Sequence, residues 1–113
     1  MFKSIMTLKE RKCIVALKEI CKKYEMDDFY SIGEKCEQRI CICKREGIWE
    51  VFVVERGLEF DNKIYEDCID ACIKVIEYCS YCDKEFEDAL RDLKNKLQKY
   101  MQNKIMIKKQ CKL

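Results

Sequence analysis

The chain has no histidine and no proline, and only three glycines, Gly33, Gly47 and Gly57. Without histidine there is no imidazole to act as general base or metal ligand, and no Ser-His or Cys-His pair can form. Three isolated glycines cannot build a phosphate-cradling loop. A chain so poor in breakers favours long elements and short connections. No apolar run reaches the length of a membrane span. The first residues, Met1 to Thr7, lack the charged, apolar and small-residue regions of an export signal. These absences lead to the expectation of a cytoplasmic protein. If it were an enzyme, it would have to work with carboxylates, lysines or thiols alone.

What is present suits one globular domain. At 113 residues, 49% hydrophobic and 39% charged, the chain can bury a core and keep a solvated surface. A net charge of +2 is too small to imply nucleic acid. Ten cysteines are present: Cys13, Cys21, Cys36, Cys41, Cys43, Cys68, Cys72, Cys79, Cys82 and Cys111. Most fall on apolar positions of helix or strand patterns, which favours reduced thiols serving as small core residues over a disulfide framework.

The pattern along the chain alternates between helix and strand periods. Thr7 and Glu10 form a capping box. Ile14, Leu17, Ile20, Cys21 and Tyr24 then share one helical face, and Asp27 and Asp28 break the pattern. Residues 29–32 suit a short strand ended by Gly33. Residues 37–44 read as a strand with Ile40 and Ile42 on one side and Cys41 and Cys43 on the other. A tight turn at Arg45, Glu46 and Gly47 leads to a strand over 48–56, which holds the only tryptophan, Trp49. Trp49, Val51 and Val53 share its apolar face, expected against the helices. The opposite face mixes Ile48, Phe52 and Val54 with Glu50 and Arg56, and such a mixture suggests a partner surface.

Gly57 allows a second turn, and residues 58–65 return as a further strand with an irregularity at Asp61 and Asn62. Glu66 and Asp67 open a helix whose stripe is Ile69, Cys72, Val75, Ile76 and Cys79. Ser80 is expected to cap a long last helix over 81–110. Phe86, Leu90, Leu93, Leu97, Tyr100 and Met101 are spaced along it, with acids in its first half and lysines in its second. The expected fold is a single α+β domain over 1–113 in the order α-β-β-β-α-α. It has a three-stranded antiparallel sheet, a fourth strand being allowed, and helices on one face.

Two groupings could carry chemistry. Cys41 and Cys43 on one strand, with Cys79 and Cys82 in C-x-x-C spacing, would supply four thiolates for zinc as the alternative to a metal-free protein. Neither pair has the glycine-bearing turn that zinc knuckles use, so no metal and no cofactor are expected. The carboxylate clusters suit helix capping and solvation, and no catalytic residue emerges.

The run from Gly47 through Trp49, Val51, Phe52, Glu55 and Arg56 to Gly57, followed by Phe60 and an acid-led helix with Ala71, resembles a pattern in small bacterial immunity proteins. These are the antidotes of polymorphic and contact-dependent toxin systems. The resemblance spans about Leu8 to Cys79. It implies a non-catalytic inhibitor that binds a cognate toxin domain and blocks it. On that reading the partner-binding candidates are Glu50, Phe52, Glu55 and Arg56 on the sheet, with Glu85, Glu87 and Asp88 at the start of the last helix. A phage-encoded inhibitor of a host defence factor and a zinc-stabilised module remain alternatives. The long last helix could also supply a homodimer interface.

Overall fold

In the computed structural model, residues 6–80 and 85–111 are described, with side chains over 6–79 and 87–100. Three helices and one four-stranded sheet follow the order α1 (Leu8–Lys23), β1 (Tyr30–Ile32), β2 (Ile40–Arg45), β3 (Ile48–Glu55), β4 (Leu58–Tyr65), α2 (Cys68–Ser80) and α3 (Glu85–Cys111). The fold class is α+β, and the fourth strand is present.

The capping box forms as expected. Glu10 N–H donates to Thr7 Oγ1 at 3.1 Å, and Thr7 N–H donates back to Glu10 Oε1 at 2.8 Å. At its other end α1 stops without a glycine. Glu25 takes the left-handed conformation with φ 57°. Its N–H donates to the Lys22 carbonyl at 3.2 Å, and Met26 N–H reaches the Cys21 carbonyl at 2.7 Å. This is a Schellman ending, with Met26 fully buried as its apolar closure. Asp67 caps α2 by accepting the Ile69 N–H at 2.9 Å. Ser80 is the last residue of α2. The expected start of the last helix at 81–84 lies outside the described residues.

The strands lie in spatial order β1-β2-β3-β4. β2, β3 and β4 are an antiparallel meander joined by two turns of the same kind. Glu46 and Gly47 have φ 51° and 81°, and Arg56 and Gly57 have φ 52° and 76°. Two consecutive left-handed residues match the type I′ turn, whose twist suits a tight hairpin. The irregularity expected in β4 is a bulge. Val53 faces Phe60 and Val51 faces Lys63, so Asp61 and Asn62 stand opposite Phe52 alone, with Asp61 at φ 53°.

β1 departs from an all-antiparallel meander by pairing parallel to β2, Tyr30 facing Ile40 and Ile32 facing Ile42. The segment over 33–39 makes the return, and β2 starts at Ile40 rather than at residue 37. Gln38 sits at φ 59°, which interrupts a regular strand even though its N–H still bonds the Val54 carbonyl at 2.8 Å.

The main core lies between the helices and one sheet face. It joins Ile14, Leu17 and Ile20 of α1, Ile42, Trp49 and Val51 of the sheet, Ile69, Val75 and Ile76 of α2, and Leu93 and Leu97 of α3. Cys13, Cys21, Cys68, Cys72 and Cys79 fill gaps in it as buried thiols outside any disulfide. A smaller core occupies the opposite face, where Cys41, Cys43, Phe52 and Val54 are buried against Cys36.

Candidate functional site

The second core changes the reading of the mixed sheet face. Phe52 was expected as an exposed anchor there, yet it is fully buried. The 33–39 segment brings Cys36 over one side of it, and the Arg45 guanidinium lies 4.5 Å from its ring centroid on the outside. Arg45 is held there by a two-point pair with Glu59, at 3.1 and 3.0 Å, and by Glu50 at 3.1 Å. Asn62 Nδ2 donates to both carboxylates, at 2.7 Å to Glu50 and 3.0 Å to Glu59. Glu50 is therefore committed to this polar lid. Only the far end of the face stays open, at Ile48 and Ile64, which are exposed on either side of Glu50.

A continuous apolar row crosses the helix-side face at the hairpin end of the sheet. Register places Ile40, Val53 and Phe60 side by side across three strands, and Leu58 follows Phe60 on the same face. Ile40 and Val53 are half-buried, while Phe60 is 46% and Leu58 62% exposed. Glu55 and Arg56, both exposed, stand at the hairpin tip beside this row. The tip is fixed: the Glu37 carboxylate accepts the Arg56 N–H and, at 2.9 Å, the Gly57 N–H. The bulge is fixed as well, since the Tyr78 hydroxyl donates to the Asp61 carbonyl at 2.6 Å. The result is a rigid apolar step with a charged rim on an edge strand, the kind of surface that partner proteins use.

Sequence reasoning singled out Glu55 and Arg56 and missed Leu58 and Phe60. The signal was available, because apolar Leu58 and Phe60 alternate with charged Glu59 and Asp61. It was masked by the expectation that helices cover the whole of that face. Glu87 and Asp88 are exposed near the start of α3, and Asp88 is paired with Arg91 at 3.1 Å. The side chain of Glu85 lies outside the described residues, so the acidic group is placed only in part.

Elsewhere, the Glu10 carboxylate accepts the Trp49 indole N–H and the Lys44 ammonium, the latter at 2.9 Å, in addition to its capping bond. Burial opposes its charge, but the Thr7 N–H, Lys44 and Trp49 outweigh burial and bring its pKa down to about 2. A carboxylate held by that many donors is an anchor and a poor general base.

The thiols point the same way. Burial raises the pKa of Cys41 and Cys43. Burial also pushes Cys21 up to about 12. Cys13 is raised by its contact with the Cys68 thiol and then by burial. Such groups stay protonated at neutral pH and make weak nucleophiles. The four-thiolate zinc alternative fails on topology. Cys41 and Cys43 lie in the small core and Cys79 in the main core, on opposite faces of the sheet, and Cys82 is outside the described residues. No group of metal-ligating side chains occurs among the described residues.

No family model matches the chain, and no curated protein or solved structure is similar to it. Among the described residues, no helix is long and apolar enough to cross a membrane.

Proposed function

We propose that this protein is a non-catalytic inhibitor, an immunity protein that binds a cognate toxin domain and blocks it. The observation that carries the reading is the exposed row of Leu58 and Phe60 against Val53 and Ile40, rimmed by Glu55 and Arg56. Aromatic and aliphatic anchors supply affinity, and flanking charges supply fast, selective capture. The Glu37 bonds hold the hairpin in one conformation, which lowers the ordering cost of docking. The resemblance of the Gly47 to Gly57 run to immunity proteins supports the same reading.

The test is to look for a toxin gene beside this one and to co-express the chain with the toxin domain of any that is found; a neighbourhood without one counts against the reading. The wild-type chain restores growth. The double variant Glu55→Lys, Arg56→Glu folds normally and protects less well. A folded chain that gives no protection and forms no complex with that domain refutes the proposal.

A further inference from the structure

A second surface lies on the helical layer. α1 and α3 run antiparallel, pinned at one end by Asp92, which accepts from Lys23 at 2.9 Å and from the Tyr24 hydroxyl at 2.6 Å. Further along, Lys96 reaches Glu19 at 3.0 Å. There the two helices border a groove of about 390 Å³, lined by Arg11, Lys12, Val15, Ala16 and Glu19 of α1 and by Lys96, Lys99 and Tyr100 of α3. Glu19, the sole acid among the described lining residues, is already paired with Lys96. Arg11, Lys12 and Lys99 have no ion pair among the described residues. Val15 is 53% exposed on the floor. Tyr100 is half-buried against the main core, with the Lys99 ammonium 5.2 Å from its ring centroid.

We propose that this groove binds an acidic amphipathic helix of a protein partner. The lining positions advance by three and four along each helix, so the groove runs parallel to both axes and admits a third rod. From Arg11 to Glu19 it is about 12 Å long, a little over two helical turns. Its floor is aliphatic and its rims are basic, which matches a helix with leucine-type residues inward and carboxylates at the flanks. The surrounding charge has the same sign: besides the lining cations α1 carries Lys18 and Lys22, while its Lys9 and Lys23 are paired with Asp67 and Asp92 and its own acids are Glu10 and Glu19. Long-range attraction would therefore steer an acidic segment to this side. A nucleic-acid strand fits less well, because base stacking needs an open ring and Tyr100 is packed into the core. The site is separate from the hairpin end and does not depend on the toxin reading.

The probe is a fluorescein-labelled amphipathic helical peptide of glutamate, leucine and alanine, titrated by anisotropy with the full chain. Wild-type protein binds it. Arg11→Glu with Lys12→Glu weakens binding by about tenfold or more. Lys18→Glu with Lys22→Glu makes the same change in net charge outside the groove and alters binding by less than about threefold. Val15→Asp weakens it without altering helicity or Trp49 emission. The hairpin variant Leu58→Ser, Phe60→Ser keeps full peptide binding, which separates this site from the proposed function. Absence of binding, equal losses from the two charge-reversal pairs, or tighter binding of a labelled single-stranded oligonucleotide would each overturn the proposal.

Discussion

The Glu10 carboxylate accepts the indole N–H of Trp49, which ties the first turn of α1 to the central strand β3. The same carboxylate closes the capping box and receives Lys44 from β2. One side chain thus ends a helix, satisfies the buried tryptophan and pairs a lysine that is only 15% exposed. Replacing it with glutamine removes the negative charge that Lys44 faces at 2.9 Å. We expect Glu10→Gln to cost about 2–3 kcal/mol in urea unfolding at neutral pH.

The same residue sets an acid limit. Its carboxyl titrates near 4.5 when unpaired and at about 2 in the fold. A depressed folded value contributes stability that is fully present above 4.5 and lost as pH falls towards 2. Unfolding midpoints should therefore decline through that window, and the Glu10→Gln protein should show a shallower decline than wild type. Parallel pH profiles for the two proteins would contradict the assignment.

The Schellman ending of α1 yields a stabilising substitution. Glu25 occupies a left-handed position that costs a residue with a Cβ about 1 kcal/mol. Its side chain makes no hydrogen bond or ion pair among the described residues. Glu25→Gly should raise stability by about 0.5–1 kcal/mol, measured by chemical denaturation. A loss of stability would mean that the Glu25 side chain supports the turn in some other way.

Much of this architecture is legible in the chain, and the parts that are not share a cause. Glu46-Gly47 and Arg56-Gly57 announce their turns because glycine tolerates positive φ. Asp61-Asn62 announces the bulge, and Thr7 with Glu10 announces the cap. Each is a local signal written in a few neighbouring residues. The end of α1 near Tyr24 is legible as well, but its Schellman form is not, because a glutamate stands at position 25 where glycine is usual. Three other features depend on distant partners. The parallel pairing of β1, the 33–39 segment over Phe52 and the Arg45 lid each join residues whose meeting no spacing rule foretells. For that reason Phe52 read as a surface anchor, while the exposed Leu58 and Phe60 went unread.

The two phenylalanines of the hairpin should consequently behave in opposite ways. Phe52→Ala empties the small core and should cost about 3–5 kcal/mol. Phe60→Ser acts on a half-exposed ring and should change stability by less than about 1 kcal/mol. Thermal melts of both variants decide this. Comparable losses would show that Phe60 belongs to the core.

The cysteines give a chemical check on burial. Cys36 is half-exposed, whereas Cys13, Cys21, Cys41, Cys43, Cys68, Cys72 and Cys79 are buried. Brief iodoacetamide treatment of native protein, mapped by mass spectrometry, should label Cys36 and leave those seven largely unmodified until denaturant is added. Rapid native labelling of Cys41 or Cys43 would show that the 33–39 segment does not cover them.

The most direct test of the proposed docking surface is calorimetric titration with a toxin domain against which the chain protects in co-expression. Wild-type protein should bind it tightly. Leu58→Ser with Phe60→Ser should weaken binding by about a hundredfold or more, with the melting curve of the free protein nearly unchanged. Unaltered affinity in that double variant would contradict the account and move the interface off this end of the hairpin.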